Sequence, residues 1–182
     1  MQREYGILHL IGKDRIGILQ DASAFVAKRG GTTEEGISHT LSTEAVVLLY
    51  ISGSSDPLDR IQRDTPSLGD SLKLLALFTR IKDQDKAHRI DALPLTLRVC
   101  SPDFAGLLAA MTSFFTKHEL PIIAHHTHKS TTSPAGGLPM YSHRFTVLLP
   151  PQFNRKNFII ELDELARQAN FMRDDITHSD FY

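Results

Sequence analysis

The sequence predicts an α+β protein made of two copies of one β-α-β-β-α-β unit, each an antiparallel sheet with its helices on one face. Three observations carry that prediction. An alternating apolar run, Ile7-Leu8-His9-Leu10-Ile11, passes through a glycine-flanked turn into an amphipathic stretch ending near Arg29. The same passage returns in the second half of the chain. After each copy, two strand-like runs, a helix and a last strand follow in the same order.

The repeat is read by placing Gly17 on Gly106. Asp14 then falls on Asp103, Leu8 on Leu97, Leu10 on Val99, Ile18-Leu19 on Leu107-Leu108 and Phe25 on Phe114. No gap is needed from the first strand to the end of the first helix. A self-match at this spacing is too long for a solenoid and suits two small domains. The expected organisation is a first domain over 1–83, a linker over 84–93 and a second domain over 94–182.

In the first unit, Ile7 to Ile11 is a strand. Ile18, Leu19, Ala22, Phe25 and Val26 form one helical face over Ile18 to Arg29, and Gly30-Gly31 ends it. Glu34 to Leu41 and Glu44 to Ser52 pair through a turn at Ser42-Thr43. The second of these is nearly continuous in apolar residues, so a central strand buried on both faces is expected. Asp56 is the expected N-cap of the next helix with Pro57 at its first position, Leu58 and Ile61 face inward, and Pro66 should limit or kink it. Leu74 to Lys82 completes the sheet.

The second unit repeats this order: a strand over Leu95 to Ser101, then a helix over Leu107 to His118 with Leu107, Leu108, Met111, Phe114 and Phe115 inward. Strands over Ile122 to Thr131 and Met140 to Leu149 flank an elongated Ser/Thr/Gly loop, and Pro150-Pro151 makes a break. A helix over Asn154 to Ala169 buries Phe158, Leu162, Leu165 and Ala169, and Phe171 to Thr177 closes the sheet. The topology is ferredoxin-like.

Composition narrows the function. The chain has 182 residues, 20 basic and 21 acidic, for a net charge of -1, so no general pull toward DNA or an anionic membrane is expected. A single cysteine, Cys100, rules out an internal disulfide and fits a reducing compartment. No apolar run is long enough to span a bilayer, and the N-terminus has no signal-peptide core. A cytoplasmic protein is expected.

Catalytic patterns are missing: no nucleophile elbow, no phosphate-binding glycine loop, no Cys/His pair in a recognisable context. No cofactor is expected. His126 and His128 are read as sharing a sheet face with His143, and His125 as facing the other way; without further ligand types nearby, this group is not expected to hold a metal. The stacking aromatics and basic face of a sheet that binds RNA are also missing, as is a helix-turn-helix pattern, so direct nucleic-acid contact is not expected.

What remains is the turn Gly12-Lys13-Asp14-Arg15-Ile16-Gly17-Ile18. A helix N-terminus offers unpaired amides to a carboxylate, Asp14 is placed to cap the helix, and an aspartate can take an ammonium group. This turn resembles the first-loop motif of ACT domains, small regulatory modules that bind amino acids. From about Glu4 to about His178, the whole chain resembles the glycine cleavage system transcriptional repressor family. The resemblance implies a non-catalytic regulator with ACT-type domains that bind an amino acid between units and signal to a protein partner, as a homo-oligomer. It places ligand-binding residues at Gly12, Asp14, Arg15, Ile16, Gly17 and Thr32, and at Ser101, Asp103, Phe104 and Gly106 in the second copy. The chain departs from the family where many members carry Asn-Ile at the start of the second strand: here stand Thr32-Thr33 and Pro121-Ile122, and Pro121 has no amide hydrogen. The alternative is an oligomerisation module without a ligand. A further reading relates the chain to the regulatory N-terminus of formyltetrahydrofolate deformylase, without its catalytic half.

Overall fold

The computed structural model describes residues 3–81, 92–102, 106–130 and 140–178. The chain divides into two compact units, 1–87 and 88–182. Most of the expected linker and the Ser/Thr/Gly loop beyond Ser130 lie outside the described residues. Among the described residues, no helix is long and apolar enough to cross a membrane.

The first unit runs β1 (Glu4–Lys13), α1 (Ile18–Lys28), β2 (Thr32–Leu41), β3 (Glu44–Gly53), α2 (Ser55–Leu72) and β4 (Leu75–Ile81). The second runs β5 (Leu93–Pro102), α3 (Leu107–Lys117), β6 (Ile122–Ser130), β7 (Met140–Leu149), α4 (Arg155–Gln168) and β8 (Met172–His178). Each forms a four-stranded antiparallel sheet, ordered β2-β3-β1-β4 and β6-β7-β5-β8. The fold is α+β, two ferredoxin-like units, as the sequence predicts. β1 and β5, and likewise α1 and α3, begin and end at positions that the ungapped alignment pairs. The paired residues do the same work: Leu8 and Leu97, Leu10 and Val99, Ile18 and Leu107, Phe25 and Phe114 are all buried.

Each unit has its own core, in which one sheet face packs on its two helices. Leu8, Leu10, Val47, Leu49 and Ile51 meet Ala22, Phe25, Val26, Leu58 and Ile61 in the first. Leu97, Val99, Phe145 and Val147 meet Met111, Phe115, Phe158 and Leu162 in the second. Burying such side chains contributes about 1.5–3 kcal/mol each before the entropy of ordering is charged. Leu19 and Leu108, expected inward, are both largely exposed. Each lies about 100° around the helix from the buried residue before it, which carries it off the inner face.

Helix ends explain several local choices. α1 closes with Gly30 at φ 81, where the Gly30 N–H donates to Ala27 O and the Gly31 N–H to Val26 O, the Schellman pattern. α3 closes in the same way with Glu119 at φ 55. The start of α2 corrects the sequence reading. Ser54 holds the N-cap position, Asp56 is already helical and pairs with Arg60 at 2.9 Å, and Pro57 is the third residue of the helix. Nor does Pro66 end α2, which continues to Leu72. Pro66 stands on the exposed side, where the carbonyl it leaves unpaired meets water, while Ile61, Thr65 and Leu68 hold the inner face.

Candidate functional site

The β1–α1 loop gathers five of the residues expected to bind a ligand: Gly12, Asp14, Arg15, Ile16 and Gly17. At Gly12 a Cβ would come within 2.7 Å of Leu74 Cδ2, so a larger residue there has to displace that side chain. Gly17 is the N-cap residue of α1 at φ 93, and a Cβ would meet only Arg15 Nη1, at 3.6 Å. Its requirement is therefore conformational: the chain turns through left-handed backbone, and the space beside it stays open.

Asp14 does not cap α1, contrary to the sequence expectation. Its N–H donates to Thr43 O at 2.8 Å, and its carboxylate accepts from Thr40 Oγ1 at 2.9 Å. The hairpin tip thus holds the carboxylate three residues short of the helix. α1 has no side-chain cap, and its first intrahelical bond runs from the Asp21 N–H to Gly17 O. The amides of Ile18, Leu19 and Gln20 precede that bond and have no acceptor within the helix.

Arg15 folds back over the loop. Nη1 donates to Ile16 O at 3.0 Å and Nη2 to Asp21 Oδ2 at 2.7 Å, which fixes the loop to the first turn of α1. Ile16 beside it is 99% exposed, a branched apolar side chain held wholly in water.

Thr32 is not brought to this loop within its unit. It pairs with Ser52 at one end of β3, whereas Lys13 pairs with Glu44 at the other. The intervening stretch of β3 is about 27 Å long. A ligand touching both Thr32 and the loop therefore needs two copies of the chain. Near Thr32 lies a polar cluster that sequence reasoning missed. Buried Ser52 Oγ donates to Glu34 Oε1 and accepts from Arg3 Nε at 3.1 Å, and Arg3 also pairs with Glu34. Its members lie on or beside three strands, and only strand register makes them neighbours.

The second loop departs from the first. Ser101 is fully buried and its Oγ donates to Pro102 O at 2.7 Å. Gly106 is the N-cap residue of α3 at φ -108, a backbone open to any residue. Asp103 and Phe104 lie outside the described residues.

The histidines are arranged differently from the sequence reading. Thr127 pairs with His143 and His125 with Phe145, so His125, Thr127 and His143 share the helix-facing side, while His126 faces the other way. His143 is buried, and its Nδ1 lies 3.3 Å from His125 Nε2, with Thr127 Oγ1 at 3.1 Å from both. The rings of His125 and Phe145 stack at 4.5 Å. Burial, then the neighbouring His126, lowers the pKa of His125; burial, then His125, lowers that of His143. Both rings therefore favour the neutral form. Among the described residues, no three His, Cys, Asp or Glu side chains converge as a metal site would require.

A groove of about 550 Å³ lies between α3 and α4, lined by Phe114, Lys117, Glu161 and Gln168 among others. Lys117 pairs with Glu161 at 2.7 Å across it. The hydrogen bond from Lys117 is the main reason that the Glu161 carboxyl titrates below its usual range.

No family model matches the sequence, and neither does any curated protein. Among the solved structures that match it over nearly its whole length are two that share its fold. One is described as a glycine cleavage system transcriptional repressor: it is 19% identical with a TM-score of 0.75, and the match covers 98% of this chain and 100% of that one. The other, a protein of unknown function from Galdieria sulphuraria, is 18% identical with a TM-score of 0.78 over the same shares of the two chains. At these identities the similarity is one of fold: this chain shares with them two ferredoxin-like units in tandem.

Proposed function

We propose that this protein is a non-catalytic regulator that senses an amino acid at the β1–α1 loop of its first unit and signals through a protein–protein contact. The observation that carries this reading is the uncapped start of α1 beside Asp14. The amides of the first turn, without acceptors in the helix, offer a site for a carboxylate, and residues 13–16 beside them are exposed. The Asp14 carboxylate, held in place by Thr40, retains acceptor positions for an ammonium group. The two groups are those of a free amino acid.

The repressor-type protein of the same fold supports a role in controlling transcription of glycine or one-carbon metabolism, exercised through a partner rather than by direct nucleic-acid contact. The separation of Thr32 from the loop supports a ligand shared between two copies of the chain. Such a ligand shifts the stability of their packing, and a partner can read the change.

The test is a thermal-shift and calorimetric screen of the full chain against the common amino acids and folate derivatives. A ligand that binds only the folded state raises the melting temperature with concentration. A saturable response abolished by Asp14→Ala supports the sensor. No response at millimolar concentration favours the second reading, an assembly module without a ligand. The engagement of Arg15 by Asp21 favours that second reading, since the guanidinium expected to hold a ligand is already paired within the loop.

A further inference from the structure

The two sheets carry opposite chemistry on the side turned away from their helices. In the first unit, strand register sets two rows across all four strands: Ile37, Leu48, His9 and Leu77, and beside it His39, Val46, Ile11 and Leu75. Neither row contains a charged carboxylate, lysine or arginine. Ile37 is 62% exposed, Leu75 69% and Leu77 56%, so the described residues of this unit leave them open. Charged residues of the same face, Lys13, Glu44 and Glu35, stand toward its ends. An apolar centre with a charged margin is the anatomy of a protein interface.

The corresponding face of the second unit is polar. Thr96 and Thr146 approach within 3.1 Å, Arg98 Nε donates to Ser142 Oγ at 3.1 Å, and Arg144 is exposed. Packing that face on the leucines of the first would strip water from arginines without replacing it. The first face needs an occupant as apolar as itself.

We infer that the open sheet face of the first unit is a dimer interface, and that its occupant is the same face of a second copy. The size fits. β1, β2 and β3 are each 10 residues long. With strand spacing, that makes a face of about 33 by about 19 Å, roughly 600 Å² in projection. Pleating and side chains raise the accessible area toward the ~800 Å² per partner of a standard stable interface. Two such faces stack as a sandwich about 10 Å apart, related by a two-fold axis. One more observation agrees: β3 alternates buried and half-buried apolar residues without a polar face, the pattern of a strand covered on both sides.

The experiment is light scattering and sedimentation of the full chain without ligand, at concentrations up to roughly 100 µM. The wild type is expected to be a dimer. Leu77→Glu and, separately, Ile37→Lys should each weaken dimerisation at least a hundredfold while the far-ultraviolet circular dichroism stays unchanged, because both side chains already face water in the single chain. Arg144→Glu, on the polar face of the second unit, should leave the dimer intact. A wild-type monomer throughout this range would overturn the inference and assign the face to a different partner. A dimer that survives both first-unit substitutions, or is broken by Arg144→Glu instead, would overturn it as well.

Discussion

Thr40 Oγ1 donates to the Asp14 carboxylate across 2.9 Å, joining the loop after β1 to the tip of the β2–β3 hairpin. Two roles for Asp14 are thereby separable: holding the loop, and presenting charge to a ligand. Thr40→Val removes the bond and keeps the carboxylate. It should cost about 0.5–1 kcal/mol, the net worth of an exposed hydrogen bond, and leave any amino-acid response within tenfold of wild type. Asp14→Ala should cost about as much stability and abolish the response. Calorimetric titration of both variants checks this, and equal loss of response in the two would assign Asp14 a purely structural role.

Gly17 and Gly106 occupy aligned positions with different backbones, φ 93 and φ -108. Gly17→Ala should destabilise the first unit by about 1 kcal/mol, because an L side chain is strained there even though the space is open. Gly106→Ala should cost less, since its backbone suits alanine. Urea denaturation of the two variants measures the difference, and equal costs would contradict it.

Gly31 presents the opposite case, a crowded site. An added Cβ would lie 2.7 Å from Ile61 Cδ1, 3.0 Å from Val26 Cγ1 and 3.1 Å from Ile51 Cγ2. Gly31→Ala should therefore cost about 1–3 kcal/mol by overpacking. Ile61→Val removes the nearest of these atoms and alone costs about 0.5–1.5 kcal/mol. The double variant should lose less than the sum of the single changes, and strict additivity would show that the clash is relieved elsewhere.

The fold was legible because its signals are local and doubled. Leu8, Leu10, Phe25 and their counterparts mark the core faces by spacing alone, and the ungapped alignment ties one unit to the other. Non-local pairing was not legible. Thr40 meets Asp14 only through the β2–β3 hairpin, and nothing in the motif announces that contact. The side of the sheet to which His143 points depends on its pairing with Thr127, beyond an irregularity between Ile122 and Ala124. A slip of one residue moves a side chain to the opposite face, so sequence spacing separates His125 from His126 and His128 correctly but puts His143 on the wrong side. Pro66 shows the converse: it does not end α2, because the buried Ile61, Thr65 and Leu68 hold the helix together around it.

The histidine pair makes stability depend on pH, with a definite sign. His125 and His143 both have pKa values lowered in the folded chain, chiefly by burial and then by a neighbouring imidazole. The unfolded chain titrates near the ordinary value of about 6.5 and so binds more protons as the pH drops. The contribution of the pair is fully present above about 6.5 and is lost as the pH falls through the lowered folded values. Asp64 and Glu161 are carboxylates whose pKa values are also lowered, so their contributions fade only at more acid pH. Melting temperatures between roughly pH 8 and pH 5 therefore isolate the imidazoles. The wild type should melt progressively lower below about pH 6.5. His143→Leu removes the more buried ring and leaves His125 lowered by its burial and His126 alone, so the decline should become shallower, whatever the variant's absolute stability. An undiminished slope in His143→Leu would place the acid sensitivity elsewhere in the chain.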